Sequence, residues 1–119
     1  MKLIYYDSKT EEICKNINKA TRFFGGNKNM ALSLFSRINA LVNAENLKDI
    51  SRFPQYRMHQ LKGNRKNQYS ITILKSSKYR LILYPLDEDE SVLESLDNEM
   101  LMLVKCVCIK IEEVSEHYE

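Results

Sequence analysis

The 119-residue sequence predicts an α+β fold, an N-terminal helical hairpin packed on a mostly antiparallel sheet of four to five strands. Two observations carry this expectation. Apolar residues recur at helical spacing as far as Val42, and beyond Phe53 the period changes to two. The chain also shows no internal repeat and no Pro/Gly-rich linker, so residues 1–119 read as one domain.

The elements follow in order. The opening "KLIYY" is a short apolar run suited to a strand. Ser8 with Glu11 three residues on fits a capping box, each side chain satisfying a backbone N–H of the other. Ile13, Ile17, Ala20 and Phe24 then lie on one helical face, and Gly25-Gly26 ends that helix. Ala31, Leu34, Phe35, Ile38, Leu41 and Val42 stripe a second helix, with Ser33, Ser36, Arg37 and Asn43 opposite. "YRMHQLK", "QYSITIL" and "YRLILY", separated by "GNRKN" and "KSSK", read as a three-stranded meander. "MLMLVKCVCIKI", Met100 to Ile111, is apolar on both faces and is expected as a further strand inside the sheet.

Composition excludes several classes. With 44% apolar and 29% charged residues the chain is neither disordered nor a membrane span, for which about 20 consecutive apolar residues are needed. "MKLIYYDSKTEE" turns acidic too early for a signal peptide, so a cytoplasmic protein is expected. Cys14, Cys106 and Cys108 cannot all pair, and His59 and His117 lie too far along the chain to complete a zinc set. Reduced, packed thiols are expected, Cys106 and Cys108 on one strand face, with no metal and no cofactor.

Charge placement is the informative feature. From Ser51 to Arg80 there are eight Lys or Arg and no carboxylate, while Asp87 to Glu99 holds seven carboxylates and no base. The net charge of +2 therefore hides a dipole. Arg57, Lys62, Arg65, Lys66 and Lys78, with Tyr69, Tyr79 and His59 interleaved, suit a polyanion carrying stackable bases. A merely solvated face usually mixes signs. The acidic run reads as a mobile loop between two strands, able to oppose a polyanion if it folds over the basic face.

"SRINAL", "HQLKG" running into "YSITI", "YRLILYP" and the ending "IEEVSEHYE" together resemble the RelE/ParE superfamily of bacterial type II toxins, within it the plasmid-maintenance killer proteins of the HigB kind. The resemblance implies a RelE-like fold and a metal-independent endoribonuclease that cuts messenger RNA, usually on the ribosome. It also implies an antitoxin partner with a helix-turn-helix, of the HigA kind. By position Arg80 matches the strand arginine set against the scissile phosphate, and Arg57 and Lys62 match phosphate-holding residues. His117 and Tyr118 correspond to the family's C-terminal Tyr and His in reversed order, which puts each ring on the other's face.

RNA brings its own nucleophile, the 2′-OH. The protein must align it, take its proton, stabilise the phosphorane and protonate the leaving 5′ oxygen. His59, on the strand face of Arg57, is the other candidate for proton transfer, and a structural histidine is an equal reading of it. Two further classes stay open, a DNA gyrase poison of the ParE branch and a non-catalytic RNA-binding module.

Overall fold

The first helix is capped one residue before the expected position. In the computed structural model, which describes residues 1–94 and 98–116, the Asp7 carboxylate accepts the Thr10 amide at 2.8 Å, and Ser8 is the first residue of α1 (Ser8–Lys15). Asp caps as well as Ser does, and the extended backbone falls at Asp7. The helix expected to reach Phe24 is two helices. Asn16 closes α1 and caps α2 (Ile17–Phe23), its side chain accepting the Lys19 amide at 3.0 Å. An Asn offers the backbone a local partner of this kind, which is why it interrupts helices.

Gly25 and Gly26 take positive φ, 68° and 92°, and turn the chain into α3 (Lys28–Asn43). The stripe of α3 buries Ala31, Leu34, Ile38 and Leu41 as expected and half-buries Phe35, whereas Val42, at the last turn and beyond the edge of the core, is exposed. Arg37 departs from its assigned solvent face. Its Nε donates to the Thr72 carbonyl at 2.9 Å, and its guanidinium lies 4.2 Å from the Tyr56 ring centroid, so it joins helix to sheet.

After α4 (Leu47–Ser51) and a 3₁₀ turn at Pro54–Tyr56, β2 is only His59–Gln60, much less than "YRMHQLK" suggested. Arg57 is left-handed at φ 47°, and a second 3₁₀ turn, Gly63–Arg65, follows at once. β3 (Tyr69–Thr72) and β4 (Arg80–Leu86) complete the antiparallel meander. "MLMLVKCVCIKI" divides into α5 (Glu99–Lys105) and β5 (Cys108–Ser115). A run apolar on both faces carries no period to choose by, whereas Asn98 supplies a cap, accepting the Leu101 amide at 3.1 Å.

The sheet order is β1-β5-β4-β3-β2, with β1 (Lys2–Tyr5) parallel to β5 and the other pairs antiparallel. Helices cover one face. Leu34, Leu41, Leu47, Ile71, Leu81, Leu83, Ile109 and Ile111 form the core between the layers. Cys106 belongs to that core, but Cys108 is buried on the opposite face beside Leu86, so the two thiols do not share a face. All three cysteines are unpaired and buried. Among the described residues no helix is long and apolar enough to cross a membrane.

Candidate functional site

Alternation along β4 sends Leu81 and Leu83 to the core and Arg80, Ile82 and Tyr84 to the face away from the helices. Register adds His59, Ser70 and Thr72 from β2 and β3, and Lys110, Glu113 and Ser115 from β5.

Arg80 sits at one end of this face, between Thr72 and Ser115. Its Nη1 donates to the carbonyls of Ser77 and Tyr79, each at 2.9 Å, so both Nη1 hydrogens are used. Among the described residues the guanidinium has no other partner. Nε–H and Nη2 are left as a planar fork, the edge that binds a phosphate through two parallel bonds. The turn that holds the arginine thus also selects which edge it presents.

His59 is exposed, and its Nδ1 lies 2.9 Å from the Arg57 carbonyl. A carbonyl only accepts, so Nδ1 carries the hydrogen and Nε2 is the nitrogen left to exchange a proton. Two strand spacings across and two residues along separate the Cα atoms of His59 and Arg80 by about 12 Å. Strand direction carries Arg57 toward the same end, and exposed Lys78 precedes Arg80 by two residues.

The chain's last described residues lie there too. Ser115 pairs with Arg80, and the Tyr79 hydroxyl hydrogen-bonds Glu116. Burial first, then that carboxylate, raises the Tyr79 pKa. His117 and Tyr118 fall outside the described residues.

The other expected phosphate contacts divide. Arg65 reaches from its 3₁₀ turn across β3 and β4, its Nη1 3.1 Å from Gln68 Oε1 and 3.7 Å from Glu113 Oε1. Beneath it Ser70 and Ile82 are 0% exposed despite facing away from the helices. Lys62 and Lys66 line a separate cleft of about 390 Å³ with Gln60, Asn67 and Glu94. The face is therefore not uniformly basic.

The interleaved rings are a correction. Tyr69 is buried under the helices with its hydroxyl donating to Glu99 at 3.0 Å, and Tyr79 packs on Phe24 with ring centroids 4.8 Å apart. The exposed strand side is turned the other way at both positions, because core residues Ile71 and Leu81 share their parity. Among the described residues the tyrosine rings on the open face are Tyr84 and Tyr6, which flank Lys110. Parity from Arg80 points to Tyr84, but nothing in the sequence links it to Tyr6.

The acidic segment is not a free loop in its described parts. Asp87 Oδ1 accepts the Asp89 and Ser91 amides, Glu90 meets Lys2 at 2.7 Å, and the Leu93 amide donates to the Pro85 carbonyl at 2.8 Å. These bonds fold residues 87–94 back along β4, where Glu94 enters the lysine cleft.

No family model matches the sequence, and no curated protein matches it. Among solved structures, one described as "YoeB/ParE toxin from Agrobacterium tumefaciens" is similar with a TM-score of 0.51 and 15% identity, covering 99% of this chain and 100% of that one. At that identity the likeness is one of fold, the helix-covered five-stranded α+β arrangement expected from the sequence.

Proposed function

We propose that this chain is the toxin of a type II toxin–antitoxin pair, a single-domain, cytoplasmic, metal-independent endoribonuclease that cuts messenger RNA on the ribosome. One observation carries the reading. Among the described residues the Nε–Nη2 edge of Arg80 has no partner, and it lies at the end of the sheet face where Ser115 pairs with Arg80 and exposed His59 stands two strands away.

In this reading the Arg80 fork holds the scissile phosphate and its charge as the phosphorane forms. His59 Nε2, or His117, takes the 2′-OH proton as that oxygen attacks phosphorus. The bond to the 5′ oxygen then breaks, and the leaving oxygen receives a proton. Atoms balance with a 2′,3′-cyclic phosphate upstream and a 5′-OH downstream, and nothing else is consumed. Arg57 and Lys78 add phosphate contacts beside Arg80, and Lys62, Arg65 and Lys66 hold more distant ones. A helix-turn-helix antitoxin of the HigA kind is the expected neutralising partner.

A second reading follows from the solved neighbour's name, which joins two branches: the chain poisons DNA gyrase, as the ParE branch does, and needs no proton-transfer set. Induction of the wild type and of Arg80→Ala in a bacterial host, with growth and messenger 5′ ends followed together, separates them. Arrest with new breaks in translated messages, both lost in the variant, is the expected result. Arrest with intact messages and damaged DNA supports the gyrase reading, and no arrest rules out both.

A further inference from the structure

At the far end of the same sheet face, Lys110 Nζ lies 5.7 Å from the Tyr6 ring centroid and 5.4 Å from that of Tyr84, with Glu112 Oε1 at 3.5 Å. Lys110 pairs with Tyr84 on β4 and with Ile4 on β1, so the cluster bridges the three strands β1, β5 and β4 at that edge of the sheet. The Tyr6 amide donates to the Ile111 carbonyl at 2.9 Å, which fixes its backbone, yet the residue is 61% exposed. A large ring on a fixed backbone, beside Lys110 and open to solvent, is a surface on which a base can stack.

We infer that Tyr6, Tyr84 and Lys110 form a base-stacking platform for single-stranded RNA, distinct from the Arg80 end of the sheet. This rests on the ribonuclease reading for its choice of ligand. Four residues of β4 separate Tyr84 from Arg80, about 14 Å, so a strand held at both points lays more than one nucleotide along the sheet. Glu112 already neutralises much of the Lys110 charge. Lys110 therefore braces the two rings from between them, and the platform contributes mainly by stacking on Tyr6.

That division gives a specific signature. Stacking is sequence-tolerant and carries little salt dependence, whereas each phosphate contact adds about 0.7 to the slope of log affinity against log salt on a single strand. The test uses fluorescently labelled 2′-O-methyl oligoribonucleotides, which resist cutting, titrated over a salt series. Tyr6→Ala should weaken binding roughly 5- to 100-fold with an unchanged slope, and Tyr6→Phe should bind as wild type. Arg80→Ala should lose affinity together with slope.

Wild-type affinity in Tyr6→Ala, with or without a lowered thermal midpoint, would overturn the platform and reduce the cluster to a packing contact; the ribonuclease reading would stand on Arg80. The expected Tyr6 loss in a chain that cuts no message would keep the platform and remove the nuclease. A wild type that binds no single-stranded RNA would overturn the platform and leave the ribosome-dependent nuclease reading to the induction experiment.

Discussion

Glu113→Gln should tighten RNA binding while leaving stability almost unchanged. Glu113 stands opposite Ile82 on the open face, with Arg65 Nη1 3.7 Å from its carboxylate. The two side chains are 41% and 40% exposed, so water screens the pair. At that separation the attraction in water is about 1 kcal/mol, and ordering two long side chains offsets most of it. Unfolding free energy should therefore change by no more than about 0.5 kcal/mol. Binding differs because Arg65 must leave Glu113 before it can meet a phosphate, and the carboxylate repels the strand. Removing up to about 1 kcal/mol of that competition corresponds to roughly five-fold tighter binding. One more phosphate contact should steepen the salt slope by about 0.7. Anisotropy titrations of wild type and variant from low to moderate salt read both quantities. Unchanged affinity and slope would mean that RNA does not pass over the Arg65 bridge, and would move the interface to the Arg80 end alone.

Three predictions concern the scaffold. Leu34 is fully buried at the centre of the α3 stripe, so Leu34→Ala should cost about 2–5 kcal/mol, measured by urea unfolding; a smaller loss would mean that the helix layer collapses onto the gap. Asp7→Ala should lower the thermal midpoint more than Ser8→Ala, since Asp7 holds the Thr10 amide; the reverse order would restore Ser8 as the cap. Burial pushes the Cys14 and Cys106 thiols from 9.0 up to about 12 and about 11. Their contribution is complete below pH 9 and is lost as pH rises toward 11–12, by about 1.4 kcal/mol per pH unit for each thiol. Alkaline unfolding followed by circular dichroism should begin in that window, and alkylation at pH 8 should need urea; rapid labelling of the native protein would contradict the burial.

The sequence made the layers legible because each has a clean period. The α3 stripe and the β3–β4 meander were found where Leu34, Ile38, Ile71 and Leu81 alternate with polar neighbours in the proper rhythm. It misled where periodicity vanishes. The doubly apolar run from Met100 contains both a helix and a strand, and only Asn98 marks the start of the helix. The continuous helix to Phe24 failed because one Asn side chain competes with a backbone bond. The strand face of the candidate residues was legible singly, Arg80 and His59 both lying on the side away from the helices. What the sequence hid was pairing over distance: Arg65 on Glu113, Arg37 on Thr72, and Tyr6 beside Lys110 depend on strand order. Tyr69 and Tyr79 show the same limit, since two aromatic residues among bases suggested stacking until the core claimed both.

In the proposed reaction the RNA's own 2′-OH is the nucleophile and Arg80 holds the phosphate it attacks. The direct measurement is the chemistry of the cut ends when purified protein acts on ribosomes translating a defined message, normal or with a single 2′-deoxy ribose at the cut site. A 2′,3′-cyclic phosphate facing a 5′-OH, no cutting of the deoxy message, and a rate lowered by about 10²- to 10³-fold in Arg80→Ala are the predicted results. A 3′-OH facing a 5′-phosphate, or equal cutting of the deoxy message, would contradict the account.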